Sequence, residues 1–263
     1  MTNKLSKHFL KKGPLCFLFL SLALLLQPLT ADGQTGTFSA TGSMTTARLS
    51  ATATLLANGE VLLEGGENSS FVVLASAELY NPATGTFSAT GSMTTPRATP
   101  SATLLPNGQV LVSGGSIPGS TLTSAELYNP STGIFSSTGS MATSNESSTL
   151  LLDGQVLVAG GSANPGALAT AELYDTTTGT FTATGSLITA RSNLLATLLL
   201  NGQVLVSGGY GDSCPLASAE LYNIGTPTNK DECKNNGWMT LARPDGSLFK
   251  NQGDCIQFVN TGK

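Results

Sequence analysis

From Ala51 onward, short runs of apolar and β-branched residues alternate with clusters of Asn, Gly, Pro and Thr. Runs this short, bounded by turn formers, predict strands, and no stretch carries the longer 3.6-residue periodicity of an amphipathic helix. One unit reads Ala-Thr-Leu-Leu (102–105), a turn Pro-Asn-Gly-Gln (106–109), then Val-Leu-Val-Ser-Gly-Gly (110–115) and a variable segment. It continues with Ser-Ala-Glu-Leu-Tyr (124–128), a turn Asn-Pro-Ser-Thr-Gly (129–133) and Ile-Phe-Ser-Ser-Thr (134–138). Asn107-Gly108 predicts a two-residue type I′ hairpin, in which both central positions take positive φ. Asn-Pro-x-Thr-Gly predicts a second reversal, with Gly in the left-handed position. Each unit is therefore a four-stranded antiparallel meander.

The unit recurs four times. Its double glycines fall at Gly65-Gly66, Gly114-Gly115, Gly160-Gly161 and Gly208-Gly209, and its Ala-Glu-Leu-Tyr blocks end at Tyr80, Tyr128, Tyr174 and Tyr222. A meander with two apolar faces must pack against its neighbours, and the solution for such repeats is a β-propeller. The pairs Tyr80/Phe87, Tyr128/Phe135 and Tyr174/Phe181, with Tyr222 and Phe38 at the ends, are expected to fill the space between blades. The order Gly-Gly, a Tyr closing the third strand and an aromatic in the fourth, Phe here where Trp is usual, resembles the kelch repeat over about residues 36–223. That resemblance implies an all-β propeller of four-stranded blades. Kelch propellers usually have six or seven blades, and four units are visible here.

The ends of the array carry a further expectation. Residues 35–42 read as a lone fourth strand, whereas the last unit stops after Tyr222-Asn223 without a Thr-Gly-x-Phe strand of its own. The spare strand is expected to complete the last blade and close a ring of four blades, which would remove an exposed sheet edge. An open arc, or pairing with a second chain into a larger ring, is the alternative. Monomer and dimer are both compatible with the sequence.

Composition adds the setting. Lys4, Lys7, Lys11 and Lys12 precede an apolar run from Leu15 to Leu26 and a small-residue site near Ala31, the organisation of a secretory signal peptide over residues 1–31. The run is shorter than the roughly 20 residues that span a bilayer, so no stable membrane insertion is expected. Residues 32–225 are then the repeat array and 226–263 a small appendix. Cleavage would remove four of the 12 Lys and Arg and none of the 16 Asp and Glu, leaving a formal charge of −8 and disfavouring nucleic acid as a partner.

The repeated Glu78, Glu126, Glu172 and Glu220, and the Arg four residues after Met or Leu in the Ser-Met-Thr-x-x-Arg segment (Arg48 and Arg97, with Arg191 in Ser-Leu-Ile-Thr-Ala-Arg), read as structural pairs between blades, because a buried charge must be partnered. Asn145 replaces that Arg in the third unit, so Glu172 or a neighbouring Glu is expected to lack its ion-pair partner. The best-known kelch-type enzymes are secreted copper oxidases of the galactose oxidase kind, whose site needs two histidines. Here the single histidine, His8, lies in the leader, which excludes that copper centre and any His-dependent nucleophile or zinc site. No sialidase box occurs, and no two acids are fixed at the spacing of glycoside hydrolysis. A calcium site around Asp212 lacks enough oxygen ligands. Neither a cofactor nor a catalytic residue is predicted; a carboxylate-dependent carbohydrate enzyme and a purely structural partial propeller are the alternatives to a binding scaffold.

Comparing the units with one another locates the variable part. The Asn-Gly and Asn-Pro turns barely change, whereas the segments after each Gly-Gly differ in length and kind. Loops on a rigid frame are where recognition is placed. Asn68, Phe71, Arg97, Ile117, Asn164, Tyr210 and Asp212 are the candidate ligand face, for a protein or glycan partner. In the appendix, Cys233 and Cys255 read as a disulfide in an exported protein. The run from Cys-Lys to Phe-Lys-Asn-Gln-Gly-Asp-Cys also resembles a small C-terminal module of secreted bacterial proteins, one with no established activity. Cys214 is left over and is expected to be a buried thiol.

Overall fold

The computed structural model describes residues 36–163, 166–223, 225, 230, 233–234 and 249–262; the leader, Asn164 and Trp238 lie outside the described residues. By its contacts the chain divides into Met1–Ala40 and Thr41–Lys263. In the first unit, residues 36–40 form no strand and Phe38 is fully exposed, so its ring does not occupy the expected inter-sheet position.

The second unit is built of antiparallel sheets. The first sheet comprises β1 (Thr52–Leu55), β2 (Val61–Glu64), β3 (Ala77–Asn81) and β4 (Thr86–Ala89). The second comprises β5 (Ser101–Leu104), β6 (Val110–Ser113), β9 (Ala125–Asn129) and β10 (Ile134–Ser137), with a small ribbon, β7 (Ser116–Ile117) and β8 (Ser120–Thr121), inserted after β6. The third comprises β11 (Asn145–Leu150), β12 (Val156–Gly161), β13 (Ala171–Asp175) and β14 (Thr180–Ala183). Among the described residues the fourth has three strands, β15 (Leu195–Leu198), β16 (Val204–Ser207) and β17 (Ala219–Tyr222). A helix, α1 (Gln252–Thr261), ends the chain, capped by the Asn251 side chain, and lies beside the Cys233–Cys255 disulfide with Phe249 and Phe258.

The hairpin turns differ from the sequence expectation. At Asn58-Gly59 only Gly takes positive φ, 86°. Leu56 N donates to Glu60 O and Gly59 N donates to Leu56 O, making a longer loop than a type I′ turn. The same bonds recur at Leu105, Leu151 and Leu199. A left-handed Gly at the end of the loop supplies the right-handed twist of the hairpin, so Asn is free to cap the turn through its side chain, as Asn58 Oδ1 does for Glu60 N.

Strand alternation assigns the two sides of each sheet. Leu62, Ala77 and Leu79 of the first sheet pack with Val110, Val112, Tyr128 and Phe135 of the second. Leu111 and Ala125 meet Val156, Val158 and Tyr174 of the third, and Leu157 and Ala171 meet Val204 and Val206 of the fourth. Tyr and Phe stack at 4.7–4.8 Å between centroids on the third and fourth strands of each complete sheet.

The three Phe rings are not equivalent, contrary to the expectation that all fill the space between sheets. Phe135 is buried, whereas Phe87 and Phe181 are half-buried. Phe181 lies against Tyr174 at the margin of the contact between the second and third sheets, and its strand neighbours Thr180, Thr182 and Ala183 are exposed. Tyr174, fully buried one strand further in, fills the contact instead.

The first strands stand side by side in chain order, β1 beside β5, β5 beside β11 and β11 beside β15, with no such packing of β15 on β1. At the ends of the array the equivalent side chains are open: Leu55 of the first sheet is 64% exposed, and Leu221 of the fourth is 47% exposed.

Candidate ligand-binding face

A strap follows the fourth strand of each complete sheet and fastens onto the next sheet. On the second sheet, Thr90 Oγ1 lies 2.8 Å from Tyr128 Oη, and Gly91 N donates to Gly133 O at 3.0 Å. Thr94 N and Thr95 N donate to the Glu126 carboxylate at 2.7 and 3.2 Å. Arg97 completes the strap, donating to Glu126 Oε1 at 3.2 Å and to Gly114 O, Ser124 O and Ser124 Oγ. Residues 41–48 make the same contacts on the first sheet through Tyr80, Gly85 and Glu78. Residues 184–191 contact Tyr222 and Glu220 of the fourth sheet. Burial alone would raise the Glu78 and Glu220 pKa values, but the strap N–H groups and guanidiniums outweigh it and hold both carboxyls below their usual range.

One expectation changes here, and a second, the missing ion pair at Glu172, is met without leaving a bare charge. Arg97 is fully buried with its guanidinium spent on the second sheet, so it cannot belong to a ligand face. Asn145 does not leave Glu172 bare. Its Nδ2 donates to Glu172 Oε1 at 2.9 Å, Ala142 N and Thr143 N donate to the same carboxylate, and Asn145 Oδ1 accepts from Thr170. A neutral amide with backbone donors replaces the ion pair.

Glu64 was indistinguishable in sequence from the scattered acids. It ends β2 at the place held by Ser113, Ala159 and Ser207 in the other sheets. It is fully buried, and neither carboxylate oxygen has a hydrogen-bond partner. Burial pushes its pKa up to about 8, partly opposed by the Arg48 charge.

The remaining candidates lie in the segments after the double glycines. Gly66 takes φ 84°, and a Cβ there would meet Leu49 O at 2.5 Å, which is why the pair opens each loop. Phe71 is exposed and itself left-handed, φ 58°, at the tip of a loop that Asn68 Oδ1 shapes by accepting from Ser70 N and Val72 N. Asn68 is therefore a loop organiser. Ile117 is half-buried in β7. Tyr210 is 47% exposed, its backbone paired with Ser192. Asp212 is exposed and accepts from Ala167 N at 3.4 Å, joining the third and fourth loops. Cys214, expected to be buried, is exposed in that fourth loop, because Gly211 N bonds to its carbonyl and turns the tip outward.

Two hollows at this end of the sheets were not legible in sequence. One, about 310 Å³, lies between the second and third loops, lined by Ser116, Ile117, Ser120, Thr121 and Ser162. The other, also about 310 Å³, lies at the starts of the first strands, lined by Thr99, Ser101, Glu146, Ser147, Ser148 and Asn193. Glu146 Oε2 accepts from Asn193 N, and Ser148 Oγ meets Ser101 Oγ and Thr103 Oγ1. The available signal was the third unit's exchange of the small apolar Ala53, Ala102 and Ala196 for Ser148. Such walls offer hydroxyl donors and acceptors suited to sugar hydroxyls or peptide groups. Among the described residues, no three His, Cys, Asp or Glu converge as a metal site, and no helix is long and apolar enough to cross a membrane. No family model matches the chain, and a search of curated proteins found no match.

Proposed function

We propose that the chain is an exported, non-catalytic binding scaffold: a β-propeller of kelch-type blades, completed at its fourth sheet by the leading strand, that holds a protein or glycan through the segments after its double glycines. A division of labour inside one repeat carries this reading. The groups common to every unit, the Glu, the Tyr and the strap, are committed to fastening one sheet to the next. The groups that differ between units, Phe71, Ile117, Tyr210 and Asp212 with the hydroxyls beside them, sit on loops or a short ribbon at one end and retain exposed surface. Catalysis needs one differentiated constellation, whereas recognition needs a rigid frame and variable edges.

A glycan array and a protein capture screen on the full chain test the reading. Phe71→Ala and Tyr210→Ala are expected to weaken the captured ligand at least tenfold without changing the melting temperature. Binding that survives every loop substitution, or turnover on a polysaccharide panel, would overturn it.

A further inference from the structure

The fourth sheet has an unfilled lane. In the first three sheets the strap glycine, Gly42, Gly91 or Gly139, donates its N–H to the glycine carbonyl that opens the fourth strand, Gly85, Gly133 or Gly179, at 2.8–3.0 Å. On the fourth sheet Thr184 and Thr189 take their usual places against Tyr222 and Glu220, but no fourth strand pairs with β17 among the described residues. A cavity of about 350 Å³ opens there between the third and fourth sheets, lined by Leu157, Ala159 and Ala171 on one side and by Val206, Leu221 and Tyr222 on the other, beneath Thr184 and Gly185 of the strap.

Among the described residues, one segment of matching sequence belongs to no sheet. Residues 35–46 are identical to residues 84–95, which form β4 and the strap after it. The second half of the leading copy, from Thr41, already sits as a strap on the first sheet. Its first half should therefore pair as β4 does. The β3–β4 register, Glu78 with Ala89, Leu79 with Ser88, Tyr80 with Phe87 and Asn81 with Thr86, transfers directly. It sets Ala40 against Glu220, Ser39 against Leu221, Phe38 against Tyr222 and Thr37 against Asn223.

The open end faces indicate which copy supplies this strand. Three inter-sheet contacts share one construction, and on the fourth sheet its half is exposed at Ala219 and Leu221 and half-buried at Leu205. The other half, on the first sheet, leaves Leu55 64% exposed and Leu63, Tyr80 and Phe87 half-buried, and β15 has no packing on β1 of the kind that joins β1 to β5. A second chain can bring the two halves together without changing how the four sheets of either chain stack. A contact of this head-to-tail kind closes when the rotation returns to its start, and eight sheets lie within the range of known propellers.

We propose that the lane beside β17 receives residues 37–40 of a second copy of this chain, docked head to tail, so that two chains close one ring of eight sheets and each completes the other's last sheet. This rests on the reading of the sheets as propeller blades.

The test uses the full chain in a Cys214→Ser background, with Ser39→Cys in one preparation and Leu221→Cys in another. Mixed and oxidised, the two are expected to give a disulfide-linked species of twice the chain mass, and light scattering of the unsubstituted chain is expected to give the same doubled mass. The double variant Ser39→Cys/Leu221→Cys separates the outcomes. A crosslink formed inside a monomer would overturn the second copy while leaving the strand-completed sheet intact. No crosslink, with a monomeric scattering mass, would remove both. Neither result depends on the loop-binding screen.

Discussion

Replacing Glu64 with Gln removes one ionisable proton from the contact between the first and second sheets and keeps the side-chain shape. The folded carboxyl has a pKa of about 8 against 4.5 in the unfolded chain, because it is buried without a hydrogen-bond partner and only the Arg48 charge assists it. The folded state thus binds the proton more tightly. The associated stability is fully present below pH 4.5 and is lost progressively as pH rises to 8. At about 1.4 kcal/mol per pH unit, the loss is about 3 kcal/mol at pH 7 and about 5 kcal/mol above pH 8. The glutamine amide in the variant carries a burial cost that does not vary with pH. Urea unfolding of both proteins at pH 5, 7 and 9 isolates the effect, since every other titrating group is shared. The stability difference between variant and parent should move in the variant's favour by several kcal/mol from pH 5 to pH 9. Parallel pH profiles would show that the carboxylate is solvated or paired in solution, and the dry placement of Glu64 would be refuted.

The aromatic and ionic joints give two further expectations. Phe135→Ala should cost about 3–5 kcal/mol, since the ring is buried 4.7 Å from that of Tyr128; a loss under about 0.5 kcal/mol in chemical denaturation would place it outside the core. Arg97→Ala should cost about 3–5 kcal/mol by leaving Glu126 buried without its cation, and a double variant with Glu126→Gln should recover part of that loss; equal losses in the single and double variants would deny the coupling.

The strands and the Tyr–Phe pairing were legible because the chain repeats itself: three copies of Val-Leu-Val with a Val-Leu-Leu in the first unit, and four of Ala-Glu-Leu-Tyr, reveal which side each residue faces, as no single strand would. How deeply each ring is buried was not legible, since Phe135 and Phe181 occupy the same place in the repeat and differ only in what covers them. The strap was legible only in part. Its Glu–Arg pair could be anticipated from charge, whereas the bond from Thr90 to Tyr128 spans 38 residues and involves a threonine like many others. Arg97 was misplaced because a motif beside variable loops looks exposed until its partners on the next sheet are seen. Asn145 shows the same limit from the other side. A lost cation is visible in sequence, but the compensating Ala142 and Thr143 N–H groups belong to the backbone and leave no residue signature. The turns failed for a local reason: Asn-Gly fits two loop lengths, and only the pairing of Leu56 with Glu60 selects the longer one.

The strap makes every joint read the same few groups, a carboxylate and a phenol throughout and a glycine wherever a fourth strand is present, whatever loop the neighbour carries. Joints that do not discriminate between neighbours allow a unit to be gained, lost or reordered by recombination with its fastening intact. Copy number and loop content can then drift separately, and a lineage can trial new surfaces without renegotiating its frame.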